Sequence, residues 1–168
     1  MKHRRPPRLP DADYIGPVRI FFTMCTFDRE THFTNRELVE TMRGQLLHTT
    51  DEYAVEVIAY CFMPDHLHML WTGSTETSDL KRCAGRFRQR GGLRYRRGRR
   101  GRLWQEGYFD QTLRESDATF DVVSYILANP VRAKLCATPS EYAFFMGSSR
   151  YAIDDLVLSV QWRPDSMD

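Results

Sequence analysis

His66-Leu67-His68 sits inside the run Cys61-Phe62-Met63-Pro64-Asp65-His66-Leu67-His68-Met69-Leu70-Trp71. In an extended strand side chains alternate, so His66 and His68 share one face while Leu67 and Met69 share the other. Two imidazoles fixed on one face can hold a single metal ion, and an ion held that way polarises a phosphoryl or carbonyl oxygen. The same spacing also suits a half-buried strand with two polar positions, so the pair needs partners before it means chemistry.

A second group lies downstream. From about Asp117 to Ala128, Phe120, Val123, Ile126 and Leu127 fall on one helical face at ~100° per residue. Tyr125 lies opposite, with Asp121 and Asn129 one turn away on either side. Taken alone, such a tyrosine covers a domain edge with its hydroxyl in water, and Asn129 ends the helix before Pro130. Beside two metal-binding histidines the same residues acquire a mechanism. Asn129 offers an amide oxygen as third ligand and Tyr125 a nucleophile. A phenol of ordinary pKa ~10 needs a polarised target, a base or nearby positive charge to attack. Tyr108 is the rival nucleophile, although its block with Trp104 and Phe109 reads better as packing or base stacking. Trp104 is either core or a stacking platform. Asp65 shapes the turn or orients an imidazole. His3, His32 and His48 have no partner at ligand spacing.

Charge supplies a third signal. The net charge of the 168-residue chain is +2, yet Lys81 to Arg102 holds 11 basic residues and no acidic one. The remainder is therefore acidic, with a net of −9. A mildly acidic body with one intensely basic segment suits a nucleic-acid binder with a localised contact surface. Arg82, Arg86, Arg90 and Arg94 recur every four residues and form one helical stripe. Arg outnumbers Lys 21 to 3, and the guanidinium fork suits phosphate. The alternative is a solvated, partly disordered arm.

These residues need a frame. Hydrophobic content of 42% with 12% aromatics is that of a globular domain, and no apolar stretch approaches the ~18 residues of a membrane span. The four cysteines are scattered, the basic start lacks a secretory apolar core, and a cytoplasmic location is expected. Residues 1–13 read as a flexible basic arm. Strands are expected over Val18–Phe27, Ala54–Phe62, His66–Thr72 and Gly107–Leu113, with a Pro64-Asp65 hairpin turn. Helices are expected from about Glu37 to Thr49, capped by Asn35, from Thr77 to about Gly91, where Gly91-Gly92 breaks the chain, and from Asp117 to Ala128. Residues from Thr138 onward look irregular. The order strand, helix, hairpin, helix, strand, helix predicts an α+β fold.

Three blocks in order carry a resemblance: His-hydrophobe-His after the Met-Pro-Asp turn, Leu103-Trp104-Gln105-Glu106-Gly107-Tyr108-Phe109-Asp110, and Tyr125-Ile126-Leu127-Ala128-Asn129-Pro130-Val131. Together they resemble the HUH single-tyrosine transposases, and within them the REP-associated tyrosine transposases, from about Tyr14 to Tyr151. The resemblance implies a ferredoxin-like or RRM-like antiparallel sheet with helices packed on one face, a catalytic domain over 14–151 and a tail over 152–168. It implies His66 and His68 as metal ligands, Tyr125 as nucleophile, and Asn129 at the third-ligand position, where related insertion-sequence enzymes carry Gln. The implied reaction is cleavage and rejoining of single-stranded DNA through a 5′-phosphotyrosine, on palindromes that fold into hairpins. Mg²⁺ or Mn²⁺ is the expected ion, without ATP or an organic cofactor. Lys81, Arg82, Arg86, Arg90, Arg94, Arg96, Arg97 and Trp104, with Arg4, Arg5 and Arg8 of the arm, would contact the DNA. No apolar stripe is left over for a dimer interface, so a monomer is expected, although the family also contains dimers. A catalytically idle nucleic-acid-binding module of the same fold is the competing expectation, and a phosphodiesterase using water a remoter one.

Overall fold

The computed structural model describes residues 11–156, 158 and 161–165. Its elements are β1 (Arg19–Cys25), α1 (Arg36–Glu52), β2 (Val55–Met63), β3 (His66–Gly73), α2 (Leu80–Arg96), β4 (Phe109–Thr112), α3 (Thr119–Leu127), a single turn α4 (Asn129–Arg132) and β5 (Met146–Ser148). The strands form one antiparallel sheet in the order β4-β1-β3-β2-β5. Its first four strands with α1 and α2 form the ferredoxin-like split βαβ arrangement, as the sequence predicts. Asn35 caps α1 by accepting from the Leu38 amide at 2.9 Å, which satisfies one orphan donor of the first turn.

Alternation divides the sheet between two cores. Ile20, Phe22 and Met24 of β1 and Leu67, Met69 and Trp71 of β3 face α1 and α2, meeting Leu38, Val39, Met42 and Leu46 of the one and Leu80, Cys83, Ala84 and Phe87 of the other. Phe21 and Leu70 face the other way and meet Val122, Val123, Ile126 and Leu127 of α3, with Tyr142 and Met146. The helices thus lie on both faces, which corrects the one-face expectation. The face carrying His66 and His68 also carries Phe21 and Leu70, and that apolar surface needs a cover. On β2 a bulge between Val57 and Ala59 inserts a residue and reverses the alternation. Val55 and Val57 therefore share the first core with Phe62, while Ala59, Cys61 and Met63 turn to the second.

Two further differences have local causes. α2 continues through Gly91-Gly92 to Arg96. A Cβ at Gly91 would stand 3.0 Å from Met42 Sδ and 3.3 Å from Trp104 Nε1, so this glycine lets α2 approach its neighbours rather than ending it. From Pro139 to Ser148 the chain is regular: a 3-10 segment, Pro139–Phe145, leads into β5, which pairs with β2 at the sheet edge. Farther on, Ile153, Leu156 and Trp162 pack against the second core. No helix among the described residues is long and apolar enough to cross a membrane.

Candidate active site

The ladder registers place the histidines in two cross-strand rows. Thr23, His68 and Cys61 stand opposite one another across β1, β3 and β2, and Cys25, His66 and Met63 form the next row, at the hairpin. Directly opposed residues share a face, so both imidazoles project toward the α3 side. Their Nε2 atoms lie 3.0 Å apart, with the rings inclined at 79°. Each ring is held from behind. Asp65 Oδ1 lies 2.6 Å from His66 Nδ1, and Thr23 Oγ1 lies 2.8 Å from His68 Nδ1. Asp65 therefore orients an imidazole in addition to shaping the turn. Arg29 Nε donates to its other oxygen at 2.8 Å. The turn itself is tied to the segment after β1, since the Thr26 amide and hydroxyl both donate to the Asp65 carbonyl, at 3.0 and 2.9 Å.

Burial dominates the proton affinities. It pushes His66 below its ordinary value against the opposing pull of Asp65. It holds His68 well below, with His66, Arg132 and Arg29 adding to the effect. Burial alone would raise the Asp65 carboxyl, but the His66 hydrogen bond and Arg29 together keep it below the usual carboxylate range. Near neutral pH the pair is therefore two neutral imidazoles beside a carboxylate, the protonation state a metal requires.

α3 sets Tyr125 against this pair. Its ring centroid lies 6.2 Å from that of His68, 6.0 Å from that of Phe21 and 5.1 Å from that of Trp162. Only 8% of Tyr125 is exposed. The expectation of a polar helix face around it is corrected, because Val122 to Leu127 are all buried. α3 is enclosed by the sheet below and by Trp162 and neighbouring C-terminal residues, which no helical periodicity reveals. Asn129 lies one turn beyond Tyr125. The Ala128 amide donates to Ser124 and the Ala133 amide to Asn129, at 2.9 Å each, so the helical path continues past Pro130 and keeps Tyr125 and Asn129 on one side. Arg132, absent from the sequence reading, extends its guanidinium over the Tyr125 ring, 4.5 Å from its centroid.

A divalent ion fits these donors. Asp65 accepting at Nδ1 leaves the His66 lone pair on Nε2, and the Thr23 hydroxyl can accept from Nδ1–H of His68, which leaves the second lone pair facing the first. The two Nε2 atoms, 3.0 Å apart, are close enough to be held by one ion. No third His, Cys, Asp or Glu joins them among the described residues. Asn129 Nδ2 is buried and has no hydrogen-bond partner among the described residues. The two ends of an amide differ only by assignment, so this orphaned end is where a carbonyl oxygen would meet a cation.

The remaining candidates separate. Tyr108 packs on Phe22 in the first core, across the sheet from the histidines. Trp104 is buried between Phe33 and Phe87, which makes it a core residue with no face for a base. Arg82, Arg86, Arg94, Arg96 and Arg97 are exposed on or beside α2, while Lys81 is half-buried, 5.7 Å from the Tyr14 ring. Arg90 departs from the stripe. Its guanidinium binds Glu52 of α1 through both nitrogens, at 2.6 and 3.2 Å. Arg4, Arg5 and Arg8 lie outside the described residues.

A family model described as "Transposase IS200 like" matches residues 17–129. A Haemophilus influenzae protein named "Putative REP-associated tyrosine transposase" is 23% identical over 124 residues, 67% of this chain and 69% of that one. A solved structure of a REP-associated tyrosine transposase bound to a REP hairpin superposes with a TM-score of 0.70 at 20% identity, covering 100% of this chain and 94% of that one. That likeness spans the whole sheet and its helices.

Proposed function

The chain belongs to the IS200-like transposase family, and on that premise we propose that it is a metal-dependent single-stranded DNA endonuclease and strand transferase of the REP-associated kind, acting on hairpin-forming palindromic DNA. The observation that carries this reading is the Tyr125 ring set beside His68, whose Nε2 faces that of His66. A pure binder has no use for a tyrosine buried beside two oriented neutral imidazoles.

His66, His68 and Asn129 would hold the ion, Mg²⁺ or Mn²⁺. When bound, it supplies positive charge to a non-bridging oxygen of the scissile phosphate. Tyr125 Oη attacks phosphorus in line and loses its proton to solvent. The bond from phosphorus to the 3′ oxygen breaks, that oxygen takes a proton from solvent and leaves as a 3′-hydroxyl, and the 5′-phosphate stays on Tyr125. The phosphodiester linkage is conserved on the enzyme, so a second 3′-hydroxyl can reverse the step and join strands. Asp65 and Thr23 fix ring orientation, and Phe21 and Trp162 wall the tyrosine. Exposed arginines of α2 supply non-specific attraction to the hairpin phosphates.

The test is covalent capture on a denaturing gel with a hairpin bearing a single-stranded flank. A 3′-labelled substrate should give a protein-sized adduct in Mg²⁺ or Mn²⁺, and a 5′-labelled one a shortened free strand. Cleavage without any adduct would point to water as nucleophile. Tight hairpin binding with neither product would leave an idle binding module.

A further inference from the structure

A cation lies against the nucleophile, and among the described residues no carboxylate acts on it. Nη2 of Arg132 donates to the Tyr125 carbonyl, which ties the guanidinium to the helix end that carries the tyrosine. Its carbon stands 4.5 Å from the Tyr125 ring centroid. Nη1, the other arm of the fork, is buried and has no hydrogen-bond partner among the described residues. The titratable groups acting on Arg132 are Tyr125, Arg163 and Cys61, none of them a carboxylate. The nearby His68 is itself disfavoured as a cation, in part by Arg132.

A guanidinium keeps its charge at any ordinary pH, and Arg132 is half-buried, so its charge is partly withdrawn from water at a cost. An unpartnered buried N–H adds to that cost. Capping one carbonyl explains Nη2 and leaves Nη1 unexplained. The cluster around Tyr125 holds two neutral imidazoles, an orphaned amide and a half-buried guanidinium, and the Asp65 carboxylate beside it is engaged by His66 and Arg29. A phosphate oxygen satisfies both deficits at once, because guanidinium-to-phosphate bonds are charge-assisted and directional.

We propose that Arg132 binds a non-bridging oxygen of the scissile phosphate through Nη1 while Nη2 stays on the Tyr125 backbone, so that one side chain aligns phosphorus with Tyr125 Oη and takes up charge as it develops there. This rests on Tyr125 acting as the nucleophile. No bond is made or broken by Arg132. Its part differs from that of the exposed α2 arginines, which meet DNA phosphates away from the reacting atoms.

The experiment compares wild type, Arg132→Lys and Arg132→Met in single-turnover adduct formation at saturating protein. Substrates carry either the natural scissile phosphate or a methylphosphonate there, as two separated diastereomers. On the natural phosphate, Arg132→Met should slow adduct formation by ~10²–10³-fold, the usual effect of removing a donor aimed at developing charge, and Arg132→Lys should recover part of it. On the diastereomer whose methyl group replaces the oxygen facing Arg132, wild type and Arg132→Met should differ by less than about threefold, since a contact already lost cannot be lost twice. A binding readout runs beside it in the Tyr125→Phe background. There the methylphosphonate should weaken hairpin affinity when Arg132 is present and leave it unchanged when residue 132 is Met. An equal penalty for Arg132→Met on phosphate and on both diastereomers overturns the proposal and leaves Arg132 as a helix cap. Absence of any adduct from the wild type instead overturns the nucleophile assignment, and this proposal with it.

Discussion

Thr23 and His68 stand directly opposite one another across β1 and β3, with Thr23 Oγ1 2.8 Å from His68 Nδ1. A residue 45 positions away in sequence is thus placed to set which nitrogen of a candidate ligand carries the lone pair. His68 is only 1% exposed, so no water stands ready to take the place of Thr23. Thr23→Val keeps the shape and removes the partner. It should cost about 1–3 kcal/mol of stability and raise the half-saturating Mn²⁺ concentration for adduct formation by ~10–100-fold. Mn²⁺ titration of single-turnover cleavage checks this, and an unmoved half-saturation point would show that Thr23 does not set the ligand.

Tyr125→Phe should bind the hairpin as wild type does and form no covalent adduct, because only the phenolic oxygen is lost. Tyr108→Phe should retain the adduct, since Tyr108 packs on Phe22 across the sheet from His68. The same denaturing gel reads both variants. The opposite pattern would move the nucleophile to Tyr108.

The alternation of Leu67 and Met69 against His66 and His68 made the histidine face legible, because strand periodicity is local. Asn35 was legible as a cap for the same reason. Tyr125 and Asn129 were legible as a pair one turn apart, but the enclosure of Tyr125 was not. That enclosure comes from Phe21 and Trp162, residues far away in sequence. Gly91 was misleading because a glycine that ends a helix and one that admits a neighbouring Met42 look identical in a single chain. The bulge at Ile58 left no signal in an already apolar strand. Arg132 could have been noticed as a charge seven residues past the tyrosine, yet only the helical path continued past Pro130 brings it over the ring.

His66 and Leu67 should separate function from fold. Leu67 is fully buried in the first core, and Leu67→Asp places an unpaired carboxylate there, so the domain should fail to fold. His66→Ala should melt close to wild type and lose metal-dependent cleavage. His68→Ala differs from His66→Ala, because His68 stacks on Phe21 at 5.4 Å beside the second core and its loss opens a cavity. It should lower the melting temperature as well as abolish cleavage. Indistinguishable melting curves for all three would contradict the strand register.

Acid should destabilise the metal-free protein through the histidines. Burial holds His66 and His68 below 6.5 in the folded state. An unfolded chain therefore takes up protons near that value which the folded chain refuses. By linkage, this contribution to stability is constant above the unfolded pKa and declines as pH falls below it, levelling only beneath the folded values. The urea midpoint in chelator should fall between about pH 7.5 and about pH 5, and fall less steeply in His68→Gln. An identical slope in the variant would assign the acid sensitivity to other groups.

Arg82, Arg86 and Arg94 are exposed along α2, whereas Arg90 between them is bound through both nitrogens to Glu52. An arginine already facing a carboxylate must give up that partner before it can neutralise a phosphate, so its release of counterions on binding is smaller. Each free phosphate contact contributes roughly one unit to the salt slope of DNA affinity. Replacing Arg82, Arg86 and Arg94 together by Gln should therefore flatten the slope by about three units, with cleavage of saturated complex little changed. Arg90→Gln should leave the slope nearly as it was and act on the α1–α2 contact, which thermal melting reads. Hairpin affinity measured across a salt series for both variants decides the matter. If Arg90→Gln flattens the slope as much as one of the exposed arginines does, the Glu52 pair opens on the DNA and the stripe runs the full length of α2.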